Sequence, residues 1–215
     1  RYNTAPGEVS ETALLEQEFA ASVGSQYCLA VASGGYAMGT ALRALRVKAG
    51  DKVLTNAFTL APVPGAIAGV GAEPVFVGVT PDLVIDLDDL AQKLDQARVL
   101  MLSHMRGHLC DMDRLMAMCD AAGVQVIEDC AHTMGASWNG KKSGTFGKVA
   151  CFSTQTYKHI NSGEGGFLTS DDPEIMARAI MHSGSYMLFE RHGAAPEKAV
   201  FDEIRFETPN YSGRM

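Results

Sequence analysis

The 215-residue chain lacks any apolar run of the length, about 18 residues, that a membrane-spanning helix needs. It also lacks a basic surplus, since 18 Lys and Arg stand against 25 Asp and Glu and the net charge is −7. This balance argues against nucleic acid as the main partner, because duplex binding needs a basic face. A small anionic ligand stays open, because a helix terminus and a few basic side chains bind such a ligand locally.

Paired cysteines are missing as well. The five Cys are an odd number and show no CxxC spacing, which argues against a disulfide framework and favours a reducing cytoplasm. Neither an initiator Met nor a signal peptide stands in the stretch from Arg1 to Glu8. We therefore expect the chain to begin, and also to end, inside a longer protein.

Apolar and charged residues make up 47% and 20% of the chain, as in ordinary globular domains. Met112, Leu115, Met116 and Cys119 stand at i, i+3, i+4 and i+7, the strongest helical signal in the sequence. Strand-like and helix-like segments alternate, which predicts βαβ units and a doubly wound, mostly parallel α/β sheet. The predicted strands are 27–32, 52–55, 74–77, 98–103, 124–128 and 149–153, and the predicted helices include 15–23, 64–70, 87–94 and 175–181.

Three segments follow predicted strands, where open α/β sheets bind their ligands. The first is Ala32-Ser33-Gly34-Gly35-Tyr36-Ala37, between a strand and a helix. Small residues there let backbone N–H groups close on a phosphate at the positive end of the helix. A plain glycine turn from strand to helix is the competing interpretation.

The second segment, Ile127-Glu128-Asp129-Cys130-Ala131-His132, ends a buried strand. An acid at this point could lie against a bound ring, and the alternative is an Asp that caps a helix.

The third segment carries Lys158, just past a strand and before Gly163-Glu164-Gly165-Gly166. A lone lysine is usually a solvated surface charge. The three segments together, however, supply what pyridoxal 5′-phosphate needs: a phosphate cradle, an acid and a lysine. The amine forms a Schiff base with the cofactor aldehyde, and the acid keeps the pyridine nitrogen protonated so that the ring accepts electrons.

Blocks in matching order identify a family resemblance. They are 50–53 (GDKV), 71–77 (GAEPVFV), 111–113 (DMD), 127–132 (IEDCAH), 144–147 (GTFG) and 151–153 (CFS), followed by Lys158 and 163–166 (GEGG). With them the chain resembles the DegT/DnrJ/EryC1/StrS family, the sugar aminotransferases among fold-type-I pyridoxal-phosphate enzymes. The resemblance implies a cofactor-binding large domain over 1–188 and, over 189–215, an irregular, charged connection toward a small C-terminal domain that is largely missing.

The resemblance also implies roles for single residues. Lys158 would form the Schiff base and later carry protons, Asp129 would pair with the pyridine nitrogen, and His132 would stand beside the ring. Ser153 and the turn of Gly34, Gly35 and Tyr36 would hold the phosphate. Asn210 would reach the phosphate of a neighbouring subunit, so a homodimer with shared active sites is expected.

Two departures from the family pattern concern the cofactor site. Gly35 stands where the family usually has Thr, so one hydroxyl donor to the phosphate is lost. Leu60 stands where the family places an aromatic residue over the ring, with Phe58 nearby, and either side chain could cover the ring.

The expected activity is transfer of an amino group from an amino acid such as glutamate or glutamine to a keto acceptor, often a nucleotide-linked sugar in this family. One alternative is dehydration, although the relatives that dehydrate replace the lysine by His; here Lys158 is present and His159 follows it. Another is a regulatory or sensor protein on the same fold. A metal site built from His104, His108, Cys110 and Asp113 is not expected, because their spacing matches no zinc pattern.

Overall fold

The computed structural model describes residues 8–184 and 192–204. The strands are β1 Tyr27–Val31, β2 Lys52–Asn56, β3 Glu73–Val77, β4 Val99–Ser103, β5 Gln125–Asp129, β6 Ser137–Trp138, β7 Lys141–Lys142, β8 Val149–Ser153 and β9 Gly166–Ser170. Seven of them form one sheet in the order β1-β9-β8-β5-β4-β2-β3, and β6 and β7 form a separate antiparallel pair. Only β9 runs against its neighbours in the main sheet. The predicted mostly parallel α/β sheet is confirmed.

Helices cover both faces of this sheet. They are α1 Glu11–Val23, α2 Gly34–Ala44, α3 Pro62–Gly69, α4 Leu87–Ala91, α5 Met112–Ala122, α6 Pro173–His182 and α7 Lys198–Ile204. Alternate residues of the central strands enter different apolar clusters, because successive side chains of a strand point to opposite faces. Val99 and Met101 pack with α2, α3, α6 and α7, whereas Leu100 and Leu102 pack with α4 and α5. The sheet is therefore doubly wound.

Local sequence signals set the helix ends. The Ser10 hydroxyl accepts from Ala13 N–H at the start of α1, and Gly24, in the left-handed region, ends that helix as predicted. Asp111 caps α5 in the same way, and Gly123 ends it. The Asp172 carboxylate caps α6.

Some sequence predictions are wrong or incomplete. The helix predicted over 87–94 is a short α4 followed by a separate 3₁₀ turn, Leu94–Gln96. Strand β9 was not predicted. The prediction of an irregular tail is wrong for residues 198–204, which form α7 and bury Phe201 and Ile204 in the core. Among the described residues, no helix is long and apolar enough to cross a membrane.

Candidate active site

A pocket of about 350 Å³ opens at the carboxyl ends of the parallel strands. Its walls are the first turns of α2 and α3 and the segments that follow β4, β5 and β8. The lining residues are Ser33, Gly34, Gly35, Met38, Leu60, Pro62, Val63, Met105, Asp129, Ala131, His132, Ser153, Gln155, Lys158 and Glu164. Most of the residues that the sequence analysis selected therefore share one pocket.

The glycine segment links β1 to α2 and forms the first turn of that helix. Ser33 is the N-cap, and its hydroxyl accepts from Tyr36 N–H at 3.1 Å. The first N–H groups of a helix have no partner inside it and carry a partial positive charge. Gly34 and Gly35 present such groups at the pocket wall. A Cβ on Gly34 would lie 2.9 Å from the Ser153 Cβ, so only glycine lets α2 approach β8 this closely.

Asp129 is the last residue of β5 and is nearly buried. Its Oδ2 accepts from the Ser103 hydroxyl at 2.9 Å, and its Oδ1 accepts from Ala131 N–H at 3.2 Å. Thr59 in turn donates to the Ser103 oxygen at 2.9 Å. No helix starts after Asp129, so the helix-capping alternative is wrong. The carboxylate is a fixed negative charge at the floor of the pocket.

Lys158 lies half-buried rather than extended into solvent. Its Nζ is 2.8 Å from Nε2 of His132, whose Nδ1 accepts from Arg106 N–H at 3.3 Å. With Nδ1 as acceptor, a neutral imidazole carries its proton on Nε2, an assignment that follows from the hydrogen bonds. That proton then points at the Lys158 amine.

Electrostatics favour the neutral forms of both groups. Burial lowers the pKa of Lys158; the Asp129 charge opposes that shift and the Arg106 charge adds to it. Burial is also the main cause that lowers the pKa of His132. The charge of Lys158 lowers this pKa further, and the charge of Asp129 raises it. The shift makes the unprotonated amine of Lys158 easier to form, and that amine can accept a hydrogen bond from the Nε2 proton of a neutral His132.

The segment after β8 aims Lys158 into the pocket. Thr154 N–H donates to the Gly165 carbonyl and Thr156 N–H to the Gly163 carbonyl, both at 3.0 Å, so the glycine-rich turn folds back along the lysine segment. Gly165 has φ +147°, and a Cβ there would lie 2.5 Å from the Thr154 hydroxyl. The turn therefore depends on glycine at this position.

Comparison with known proteins fits this geometry. The model of the DegT/DnrJ/EryC1/StrS aminotransferase family matches residues 7–215. The chain belongs to this family.

Two named relatives and one solved structure illustrate what the chain is similar to. The L-glutamine:2-deoxy-scyllo-inosose aminotransferase of Streptomyces kanamyceticus is 37% identical over 73% of this chain and 37% of its own length. The GDP-perosamine synthase of Vibrio cholerae is 35% identical over 77% of this chain and 46% of its own. The chain thus spans less than half the length of these curated relatives. The crystal structure of S. venezuelae DesV in complex with a ketimine intermediate is 30% identical, with a TM-score of 0.79 over 93% of this chain and 57% of that one.

Of the remaining residues that the family resemblance suggested for the cofactor site, some line the pocket and others do not. Leu60 lines the pocket, whereas Phe58 does not belong to the lining and its carbonyl accepts from the Asn56 side chain. Tyr36 is partly exposed, and its hydroxyl donates to the His182 carbonyl at 3.4 Å, outside the pocket. Asn210 lies outside the described residues.

Glu128, beside Asp129 in sequence, points to the other face of the sheet and is fully buried. Its Oε1 accepts from the N–H groups of Phe146 and Gly147, and its Oε2 accepts from Gly144 N–H and the His104 ring. Burial, the largest single influence, raises the pKa of Glu128, but His104 and the backbone donors outweigh it and the net pKa is lowered. Glu128 therefore anchors the 144–147 block beneath the site.

The alternative metal site of His104, His108, Cys110 and Asp113 does not form in the structure, because His104 and Asp113 have other partners. His104 faces Glu128, and the Asp113 carboxylate accepts from Trp138 and Asn139 at the surface. Ligand atoms of His104, Glu128 and Cys130 do lie within 4.8 Å of one another. The Glu128 oxygens, however, already accept the hydrogen bonds described above.

Three further residues that had no predicted role are connected to the site. Glu164 lines the pocket, the Ser103 hydroxyl donates to Asp129, and the Arg106 backbone N–H donates to His132. Ser103 and Arg106 could have been found, because both flank the carboxyl end of a predicted strand. Glu164 stands inside the glycine block that marked the lysine segment.

Proposed function

We propose that this chain is the cofactor-binding part of a pyridoxal-phosphate-dependent aminotransferase. It would move an amino group from an amino acid such as glutamate or glutamine to a keto acceptor of the sugar class. The observation that carries this proposal is the convergence of the Lys158 amine, the Asp129 carboxylate and the first turn of α2 in one pocket. Relatives named for L-glutamine, for an inosose and for GDP-perosamine support the substrate class.

The pocket residues fit this cofactor chemically. A phosphate matches the N–H groups of Gly34 and Gly35 and the Ser153 hydroxyl, because anions bind at helix N-termini. The close approach at Gly34 brings these donors together. A pyridine nitrogen matches Asp129, because a neighbouring carboxylate favours its protonated form. Leu60 offers an apolar surface for the ring.

The bound cofactor would supply an electron sink for the negative charge that develops on the α-carbon of the substrate. The chain's own residues do the rest. Burial lowers the pKa of Lys158, which favours the unprotonated amine, the form that attacks a carbonyl or removes a proton. His132 orients that amine through its Nε2 proton. The Ser103 hydroxyl and Ala131 N–H keep Asp129 in one orientation.

The proposal includes assembly and location. Asn210 is proposed to complete the phosphate site of a second subunit in a homodimer. The described cysteines are all free and buried, in keeping with a cytoplasmic protein. Lys158 favours amino transfer over dehydration.

Reductive labelling tests the proposal directly. After borohydride treatment of the protein saturated with pyridoxal phosphate, peptide mapping should place the label on Lys158. A label on Lys141 or Lys142 would overturn the site. The labelled position establishes binding alone, so conversion of the bound cofactor on mixing with glutamate or glutamine must then separate an aminotransferase from a sensor.

A further inference from the structure

Arg106 directly follows Met105, a residue that lines the pocket. It lies in the 3₁₀ turn Met105–Gly107 that follows β4, and it has φ +58°, in the left-handed region. This backbone conformation costs a non-glycine residue about 1 kcal/mol or more. Arg106 N–H donates to His132 Nδ1, which ties the strained turn to the site.

The Arg106 side chain is exposed, and its guanidinium has no hydrogen bond or ion pair within residues 8–184 and 192–204. Its charge nevertheless reaches the site, since it helps to lower the pKa of both Lys158 and His132. The carboxylate of Asp129 is already held by Ser103 and Ala131. Within the described part of the chain, a cation without a partner thus acts on the Lys158 and His132 of the pocket, and an anionic substrate group would stabilise this arrangement.

We propose that the Arg106 guanidinium binds the α-carboxylate of the amino donor. The inference rests on the proposed aminotransferase function and names the residue that would select its donor. One imidazole ring separates the Lys158 amine from the Arg106 backbone: Nε2 lies 2.8 Å from Nζ, and Nδ1 lies 3.3 Å from the Arg106 nitrogen. A guanidinium presents a planar pair of donors that matches a carboxylate.

The donor carboxylate fits better than an anionic group of the acceptor. In an amino acid the carboxylate is attached to the same carbon that bears the reacting nitrogen. A group that must come to Lys158 therefore carries its carboxylate within reach of a side chain on the neighbouring turn. The phosphates of a nucleotide-linked sugar stand many bonds from the reacting carbon.

The chain offers a matched control for this test. Arg46 is also exposed and has φ +60°, but it follows the far end of α2. Asn tolerates the left-handed region better than most residues, so Arg106→Asn and Arg46→Asn make the same change on the same backbone. Arg106→Asn also keeps the N–H that donates to His132. A third variant, Arg106→Lys, keeps the charge and loses the planar pair of donors.

Binding is measured by calorimetry on the whole protein loaded with cofactor. The ligands are α-methylglutamine, which has no α-proton to lose, and its α-carboxamide. Wild type and Arg46→Asn should prefer the carboxylate. Arg106→Asn should bind the carboxylate about 10- to 100-fold more weakly, as expected for lost hydrogen bonds to a charged group, and should bind the carboxamide unchanged. Arg106→Lys should fall between them.

Equal effects on the two ligands, or none on either, would overturn the inference. A loss of affinity for a nucleotide-linked keto sugar, with binding of the carboxylate ligand retained, would assign Arg106 to the acceptor and also overturn it. Failure of the proposed function looks different, because the wild-type protein itself would then not take up the cofactor on Lys158 or convert it with glutamine.

Discussion

Replacing Asp129 by Asn removes one negative charge from the floor of the pocket and keeps the shape of the side chain. The Asn oxygen can still accept from Ala131 N–H. Its amide group can donate to the Ser103 oxygen, because that hydroxyl is able to rotate. The fold and the attachment of cofactor to Lys158 should therefore survive, which makes Asp129→Asn a cleaner test than truncation to Ala.

The expected magnitude follows from the burial of the carboxylate. Asp129 is 8% exposed, so water screens its charge only in part. Two unit charges about 4 Å apart attract by about 4 kcal/mol at an effective dielectric constant of about 20. Since about 1.4 kcal/mol is a factor of ten in rate, losing a protonated pyridine nitrogen should slow the reaction about 1,000-fold.

The assay is a single turnover with glutamine, followed through the visible absorbance of the bound cofactor. The maximal rate should fall about 1,000-fold, by the electrostatic argument above, while the glutamine concentration for half-maximal rate changes little. Asp113→Asn is the control, because Asp113 hydrogen-bonds Trp138 and Asn139 at the surface and should keep the wild-type rate. An Asp129→Asn rate within about tenfold of wild type, with cofactor still attached, would refute the role of this charge.

Three further results are expected. Gly35→Thr should tighten cofactor binding about three- to tenfold in a fluorescence titration, because a Cβ there meets only Ser33 Oγ at 3.9 Å and Pro62 Cβ at 4.0 Å and the hydroxyl adds a donor; unchanged or weaker binding would contradict this. The lowered pKa of Glu128 stabilises the fold above the ordinary carboxyl pKa, and this contribution is lost as pH falls through the lowered value. Glu128→Gln should therefore lower the melting temperature by several degrees at neutral pH, because buried groups lose their partners. In this variant the melting temperature should also decrease less on acidification than in wild type, and a steeper decrease would contradict the reasoning. Finally, inactive Lys158→Ala and Asn210→Ala proteins should regain partial activity after subunit exchange, because one site of a mixed dimer is whole; demonstrated exchange without recovery would mean that each subunit builds its own site.

Much of the fold could be predicted because buried parallel strands are short apolar runs between helices. The 99–103 and 149–153 strands are fully buried and stand out in the sequence. Strand β9 could not be predicted in the same way, because Gly165 precedes it, Gly166 begins it, and the pair indicated a loop. Gly166 is required there: a Cβ would lie 2.5 Å from the Phe152 carbonyl.

The last described segment, 192–204, shows why a charged stretch can be wrongly predicted to be irregular. The 192–204 region was expected to be irregular, but Cys28 on the edge strand β1 pairs with Ala194. Glu16, fully buried in α1, accepts from Ala30 N–H, from Gly193 N–H and from the His192 ring. Ala30 is 14 residues away in sequence, and His192 and Gly193 are 176 and 177 residues away, so no local pattern reveals that Glu16 faces inward.

The two adjacent acids of β5 show what decides a role in this site. Glu128 and Asp129 are chemically alike, and the sequence alone does not say which one faces the pocket. Strand alternation sends them to opposite sides of the sheet, and the register with β4 fixes the neighbours of each. Ser103 pairs with Asp129 in that register and donates to it, whereas His104, the next residue, reaches Glu128. One acid thus becomes a buried anchor for the 144–147 block, and the other becomes the charge available to a ligand. A shift of one residue in the β4–β5 pairing would exchange their surroundings, so the pocket depends on that register as much as on the identity of Asp129.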